Sequence, residues 1–399
     1  MKLRIDSNPE KRLCIFIAAV VFCVFLTNIA AGLSQITGIR SSLITTMLKA
    51  VLGLMFILRL NILVKRFDKH LLIFAGCSLI VIMLNYAVFP RNNEYFINTV
   101  ITFVSFCMTT YIVCYTIEDY ELLKVELVRV SQIIAFIMLF FLIGVFSGRI
   151  SSFNEGRYSM GLGYSCVIPA IILSLELVQR KRIINIIGIA SLTIAIITFG
   201  SRGPLIELIL FIAYFFIRYL IQQKKYLQSI IVVVFVIALL FTYKDILTSF
   251  ALFLQSRGMR SRVIRTLTTE TFYLSGRDSL YQQLIPYIKE NPFAIRGINA
   301  EWNVIGVYAH NFVIELLYQL GIVVGGSIIL LVIVRIVKTL LVKELNNTEI
   351  MCIVFAFASI PQLLVSGSLW THYIFWMWMA MCSKHLPGYQ KQMDQIETD

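Results

Sequence analysis

Three cationic or titratable side chains stand where helices of this chain are expected to begin. Arg202 lies in GSRGP, Gly200 to Pro204; Arg277 lies in SGRD, Ser275 to Asp278; His310 lies in YAHN, Tyr308 to Asn311. Pro204 suits the first turn of a helix, and Asn311 suits the cap of the one that follows it. A cation at a helix N-terminus opposes the helix dipole, so these placements need another reason. A bound anion is one, because free backbone N–H groups and an arginine fork together hold phosphate well. Three such mouths facing one cavity would make a pyrophosphate site, and a histidine with its ordinary pKa of about 6.5 can take a proton there near neutral pH.

Each residue also has a plainer role. A lone arginine at a membrane interface commonly snorkels as an anchor, and a lone histidine beside a cap is commonly structural. Glu207 and Glu315, about one turn inside their apolar segments, are substrate-binding candidates, with pairing to Arg202 and His310 or to water as the preferred role. The basic run Arg257, Arg260, Arg262 and Arg265 suits anionic headgroups as well as it suits a substrate. Asn311 joins the binding candidates. On the residues alone the expectation is an outward-facing anion site of low specificity.

The elements that must hold these residues are membrane helices. Of 399 residues, 58% are hydrophobic and only 14% charged, and the mean hydropathy is +0.82. A soluble domain of this length is far less apolar. The net charge of +13 sits in short clusters between apolar runs, which argues for orientation in a bilayer rather than for nucleic acid. Apolar runs of about 20 residues suit helices crossing a hydrocarbon layer and not the weak alternation of a barrel. The fold class expected is all-α, polytopic, with about twelve spans near 13–32, 42–60, 71–89, 97–116, 131–147, 161–179, 183–199, 203–221, 226–243, 312–334, 350–366 and 368–383. Nine spans over 1–243 therefore precede a polar loop, 244–311, three spans follow over 312–383, and 384–399 form a tail.

With the N-terminus inside, 21 of the 35 lysines and arginines fall in cytoplasmic segments. Both termini are then cytoplasmic and the long loop faces out. Within the loop, 246–269 and 278–290 read as helices; Ser275 and Asp278 fit a capped start and Asn291-Pro292 a stop. Glu118 to Arg129 reads as a short amphipathic surface helix or a solvated connector. The first apolar run reads as a retained helix, with no small-residue cleavage pattern behind it. The eight cysteines form no CxxC or Cys/His cluster, so neither a disulfide framework nor a metal site is expected.

The order of the motifs adds to this. An outside SRGP between two spans, a large outside loop carrying SGRD and then ENP (Glu290 to Pro292), and a closing AHN with Glu315 and Gly321 beyond resemble the O-antigen ligase and Wzy-type polymerase superfamily. The chain departs from that pattern at NPFAIRGIN, Asn291 to Asn299, where the family has a more glycine-rich turn.

The resemblance implies a GT-C-type membrane glycosyltransferase. It would take a glycan from an undecaprenyl pyrophosphate carrier outside the cytoplasmic membrane, without cofactor, metal or nucleotide sugar. Arg202 and Arg277 would hold the donor pyrophosphate and His310 would lie beside the acceptor hydroxyl. The partners implied are lipid-linked glycans as donor and acceptor, the bilayer, and a chain-length regulator as a further candidate. Polymerisation of lipid-linked repeats is favoured by AHNFVIELLYQLG, Ala309 to Gly321, and by the late SGSLW segment. Transfer to lipid A core is the alternative. A flippase for the same glycan is the alternative of another class, and it would call for paired ionisable residues deep in the spans and broken helices in related halves.

Overall fold

The computed structural model describes residues 8–147, 150, 160–199, 202–228, 230–231, 233–234, 249, 277–343 and 345–385. The secondary structure it describes is helical. Nine helices among the described residues are long and apolar enough to cross a membrane: α1 Pro9–Thr37, α2 Ser41–Lys65, α3 Lys69–Val88, α4 Pro90–Thr116, α5 Tyr120–Val145, α6 Met160–Gln179, α8 Gly203–Gln222, α11 Phe312–Leu340 and α12 Asn347–Val365. Between α6 and α8 lies α7, the shorter apolar helix Ile183–Phe199. The remaining helices are α9 (Arg277–Glu290), α10 (Trp302–Ile305) and α13 (Tyr373–His385). The protein is a polytopic helical membrane protein. The span expected at 226–243 falls largely outside the described residues, as does the loop helix expected at 246–269.

Two differences from the sequence reading have physical reasons. No separate surface helix covers 118–129: α5 starts at Tyr120 and runs unbroken into its apolar half. Asp119 caps it, accepting from the Leu122 amide at 2.8 Å, and the charges within find partners, Lys124 on Gln179 at 2.7 Å and Arg129 on Glu126 at 2.5 Å. The last span, expected from 368, starts only at Tyr373. Residues 366–372 form a turn instead, because their polar groups bond to α11 rather than to a helix of their own.

The chain divides into two compact units. One comprises Ala18–Met55 and Lys124–Tyr273. Within it α7 packs closely against its neighbours: a Cβ at Gly188 would stand 2.8 Å from Leu173 and 3.2 Å from Ala135. Ser191 adds a hydroxyl bond to the Ala135 carbonyl at 3.2 Å. Small residues let helices approach where lipid supplies no hydrophobic drive.

The other unit comprises Met1–Ile17, Phe56–Leu123 and Leu274–Asp399, and it carries Arg277 and His310. Its frame is α3, α4, α11, α12 and α13. Asp68 caps α3 by accepting from the Leu71 amide at 2.9 Å; Asn346 caps α12 in the same way. A π-helical stretch, Phe103–Met108, interrupts α4, and there the Cys107 thiol reaches the Trp370 carbonyl at 3.6 Å.

The feature that organises this unit is a break in α11. Gly321 has φ 68° and ψ 176°, a conformation open essentially to glycine alone. At the break the Ile322 amide donates to the Pro292 carbonyl at 2.7 Å, and the Gln319 carbonyl accepts from the Arg296 and Gly297 amides at 2.8 and 3.0 Å. Backbone freed by a break at membrane depth is tolerated where protein re-satisfies it. Here the segment after α9 supplies the partners, so this break is filled by protein.

Candidate functional site

The site is built on α9, the segment 291–311, the first turns of α11 and the 366–372 turn. Leu284 and Ile288, four residues apart on one face of α9, pack with Ala300, Ala309, Tyr318, Val304, Ile305 and Ile314. Burying Leu284 fully contributes roughly 2 kcal/mol, and it seats α9 on α11. The helix ends at Glu290, just before Asn291-Pro292, as expected of a residue pair that disfavours further helix.

The segment after it is held tightly. The Arg296 guanidinium donates to the Tyr287 carbonyl at 2.8 Å, to Tyr318 at 3.2 Å and to Asn291 at 3.3 Å, and it lies 5.0 Å above the Tyr318 ring. Asn85 accepts from the Ile298 amide at 2.6 Å, while Asn92 donates to the Arg296 and Ile298 carbonyls at 3.0 and 3.2 Å. Gly297, at φ +87°, passes so near Phe89 that a Cβ would come within 2.5 Å of its ring. Arg296 is thus a structural tie of the loop.

This path delivers His310 in the left-handed region, φ 56°, a strain of about 1–2 kcal/mol for a residue other than glycine. Strain of this kind persists where the surroundings over-determine it. The His310 ring lies 4.0 Å from that of Tyr308, tilted by 45°. The Tyr308 hydroxyl donates to the Ser366 carbonyl at 3.0 Å, and the same carbonyl faces the His310 ring and favours its protonated form. Burial, and then the positive charge of Arg277, outweigh this and bring the His310 pKa down to about 4. His310 Nδ1 is covered and has no hydrogen-bond partner among the described residues. The neutral ring therefore keeps one unsatisfied, covered nitrogen and lies beside an arginine.

Arg277 is the first residue of α9 and is half-buried. It is close enough to depress both His310 and Tyr281; burial wins at Tyr281, pushing its hydroxyl up. Asn311 is a cap, as expected: extended in backbone, it accepts from the Val313 and Ile314 amides at 2.9 and 3.2 Å. Its amide nitrogen donates to the Leu364 carbonyl at 3.1 Å, and its side chain also bonds the Tyr281 hydroxyl.

Glu315 does not pair with His310. It is buried, and its oxygens accept from the Ser368 hydroxyl at 2.5 Å and the Leu369 amide at 3.0 Å. Glu207 is fully buried on α8, and neither oxygen has a partner among the described residues. Arg202 begins its helix, and its side chain lies outside the described residues, as do Arg257, Arg260, Arg262, Arg265 and Ser275. The structure brings together Arg277, His310 and Asn311.

Sequence reasoning did not single out Tyr308, Tyr281, Ser366, Glu301, Gln319 or Trp370. The aromatic beside the histidine in YAHN was a usable signal. Glu301 was not, since its partner Gln319 accepts no periodicity argument: the Gln319 amide donates to Glu301 at 2.7 Å and its oxygen accepts from the Trp370 indole at 2.7 Å. Burial pushes the Glu301 carboxyl up to about 7, against the Gln319 hydrogen bond that lowers it.

No significant match is found among curated proteins or among solved structures. A protein family described as O-antigen ligase matches residues 187–330. This interval covers the Arg202 motif, the Arg277 motif, His310 and the break at Gly321. Over this interval the chain is similar to the O-antigen ligase family, and the match supports the resemblance to the O-antigen ligase and Wzy-type superfamily read from the order of the motifs.

Proposed function

We propose that the protein is a membrane glycosyltransferase that polymerises undecaprenyl-pyrophosphate-linked oligosaccharide repeats into a surface polysaccharide, outside the cytoplasmic membrane. The observation that carries the reading is the placing of His310, with Nδ1 unpartnered among the described residues, within the field of Arg277 at the mouth of α11. An acceptor hydroxyl that meets the part-exposed His310 ring would be oriented and deprotonated as it attacks the donor anomeric carbon. Arg277 would stabilise the departing pyrophosphate, where charge develops. Direct displacement inverts the anomeric centre.

The two residues tune one another. The positive charge of Arg277 lowers the basicity of His310. A bound pyrophosphate offsets that positive charge and raises the histidine towards its ordinary value, so the base strengthens when a donor is present. Arg202 is assigned to anion binding from its place at the start of α8. The arginines of 257–265 and the side chains of Asn311, Glu207 and Glu315 are weaker candidates. Asn311 is engaged as a cap, Glu315 is engaged with Ser368 and Leu369, and Glu207 is buried. The helix break that a transporter would use to line a cavity is occupied by Pro292 to Ala294, which weighs against a flippase.

A ligase that moves finished glycan to lipid A core is the second reading, favoured by the description of the matching family. Incubation of purified protein with defined lipid-linked repeats and no lipid A decides between them. Polymerisation predicts a ladder of products; absence of product here, with transfer once lipid A core is added, identifies a ligase.

A further inference from the structure

We propose that Glu301 is a positioning residue for His310, acting through Gln319 and Trp370 on the turn that carries Ser366. The inference rests on His310 being the base of the reaction proposed above. Glu301 is 0% exposed and touches none of the groups assigned to the transfer. Its Oε2 accepts from Gln319 Nε2 at 2.7 Å, and Gln319 Oε1 accepts from Trp370 Nε1 at 2.7 Å. One amide thus links the loop of Glu301 to the 366–372 turn. The Gln319 carbonyl also takes the Arg296 and Gly297 amides, so the same residue sits at the break of α11.

The turn it holds has no helix of its own and depends on side chains for its shape. Glu315 fixes it at Ser368 and Leu369, Gln319 fixes it at Trp370, and Ser366 then offers its carbonyl to Tyr308 and His310. A carboxamide orients both of its ends at once. With Glu301 in place, Gln319 Nε2 is fixed and Oε1 must face Trp370. Without Glu301 the amide can rotate, and the turn loses one of its fixed points. Oε1 of Glu301 has no partner among the described residues, so the carboxyl's one described side-chain bond is the one to Gln319.

The groups facing His310 are Arg277 of α9, the Tyr308 ring and the Ser366 carbonyl. Those facing Glu301 are Glu315 and Tyr318 of α11. Loosening the turn admits water to the histidine and relieves the burial that is the largest cause of its low basicity. A purely structural role for Glu301 would lower stability without moving that titration.

The test follows His310 by NMR in full-length protein labelled with 13C at histidine Cε1, with His310→Ala assigning the signal. Glu301→Ala and Trp370→Phe are expected to raise the His310 midpoint by about one unit or more, towards ~6.5. Glu301→Gln keeps an acceptor for Gln319 Nε2 and is expected to leave the midpoint where it is. Trp370→Phe removes the indole N–H while keeping an aromatic ring at the position, so it serves should Glu301→Ala fail to fold. An unchanged midpoint in the folded variants overturns the inference. So does a Glu301→Gln midpoint that moves as far as Glu301→Ala. The readout needs no turnover: wild-type protein that forms no glycosidic bond counts against the glycosyl-transfer reading, while a shifted midpoint still supports the positioning role.

Discussion

The Tyr308 and His310 rings lie 4.0 Å apart and both address one acceptor, the Ser366 carbonyl. The tyrosine hydroxyl is the stronger claimant, at 3.0 Å, and it fixes where the carbonyl stands when the histidine meets it. Tyr308→Phe keeps the ring contact and removes the bond. The expected cost is about 1 kcal/mol of stability, read as a lower thermal midpoint, with a larger proportional loss of kcat than of binding for the lipid-linked donor.

Arg277→Ala removes the positive charge that depresses His310. The sign follows directly: without a neighbouring cation the protonated ring is less disfavoured, so the histidine pKa rises from about 4 towards ~6.5. The acid limb of residual activity moves to higher pH in this variant. A limb that stays in place or moves lower would mean that Arg277 does not act on His310.

Gly321→Ala should damage fold and site together. The new Cβ would meet the Phe293 carbonyl at 3.0 Å in a backbone conformation, φ +68°, that side chains rarely adopt. A loss of about 1–3 kcal/mol is expected from the strained backbone, together with displacement of the Pro292 to Gly297 segment that the break accepts. Thermal unfolding checks the first effect and hydrogen exchange at Ile322 and Arg296 the second.

Glu301 predicts a pH dependence of stability. Its carboxyl is raised from an ordinary carboxylate value to about 7 by burial. Such a group contributes stability that is full below its unfolded pKa and is lost as pH rises through the folded value. Between about pH 4.5 and 7 the wild-type protein should therefore lose stability relative to Glu301→Gln, by up to a few kcal/mol. Unfolding midpoints measured across that window for both proteins give the difference, and parallel curves would contradict the assignment.

The membrane class and most helix positions were legible because long apolar runs leave the backbone few alternatives. Asn311, Asp278 and Asn291-Pro292 marked ends that the structure reproduces to within a residue. The start of α13 was not legible in this way: SGSLW reads as apolar enough to open the last span at 368, and only the pairing of Ser368, Leu369 and Trp370 with Glu315 and Gln319 makes it a turn. Lys124 and Arg129 misled in the other direction. Charges signal a surface unless their partners are known, and Gln179 and Glu126 are those partners.

At the candidate site, Arg277 and His310 were singled out by residue type and position before a helix, and the structure places them near one another. Glu315 was noticed for the right reason, a carboxyl inside a span, but its partners lie more than fifty residues away in the chain. Glu301 gave no sign at all, because nothing local distinguishes a solvated loop glutamate from a buried one.

The central claim is that His310 and Arg277 act on glycosyl transfer, and the most direct measurement is the single-turnover rate of glycosidic bond formation from a defined lipid-linked repeat. Purified, folded His310→Ala is predicted to be slower than wild type by roughly 10²–10⁴-fold, with Arg277→Ala slowed as well. Wild-type rates in both variants would contradict the account.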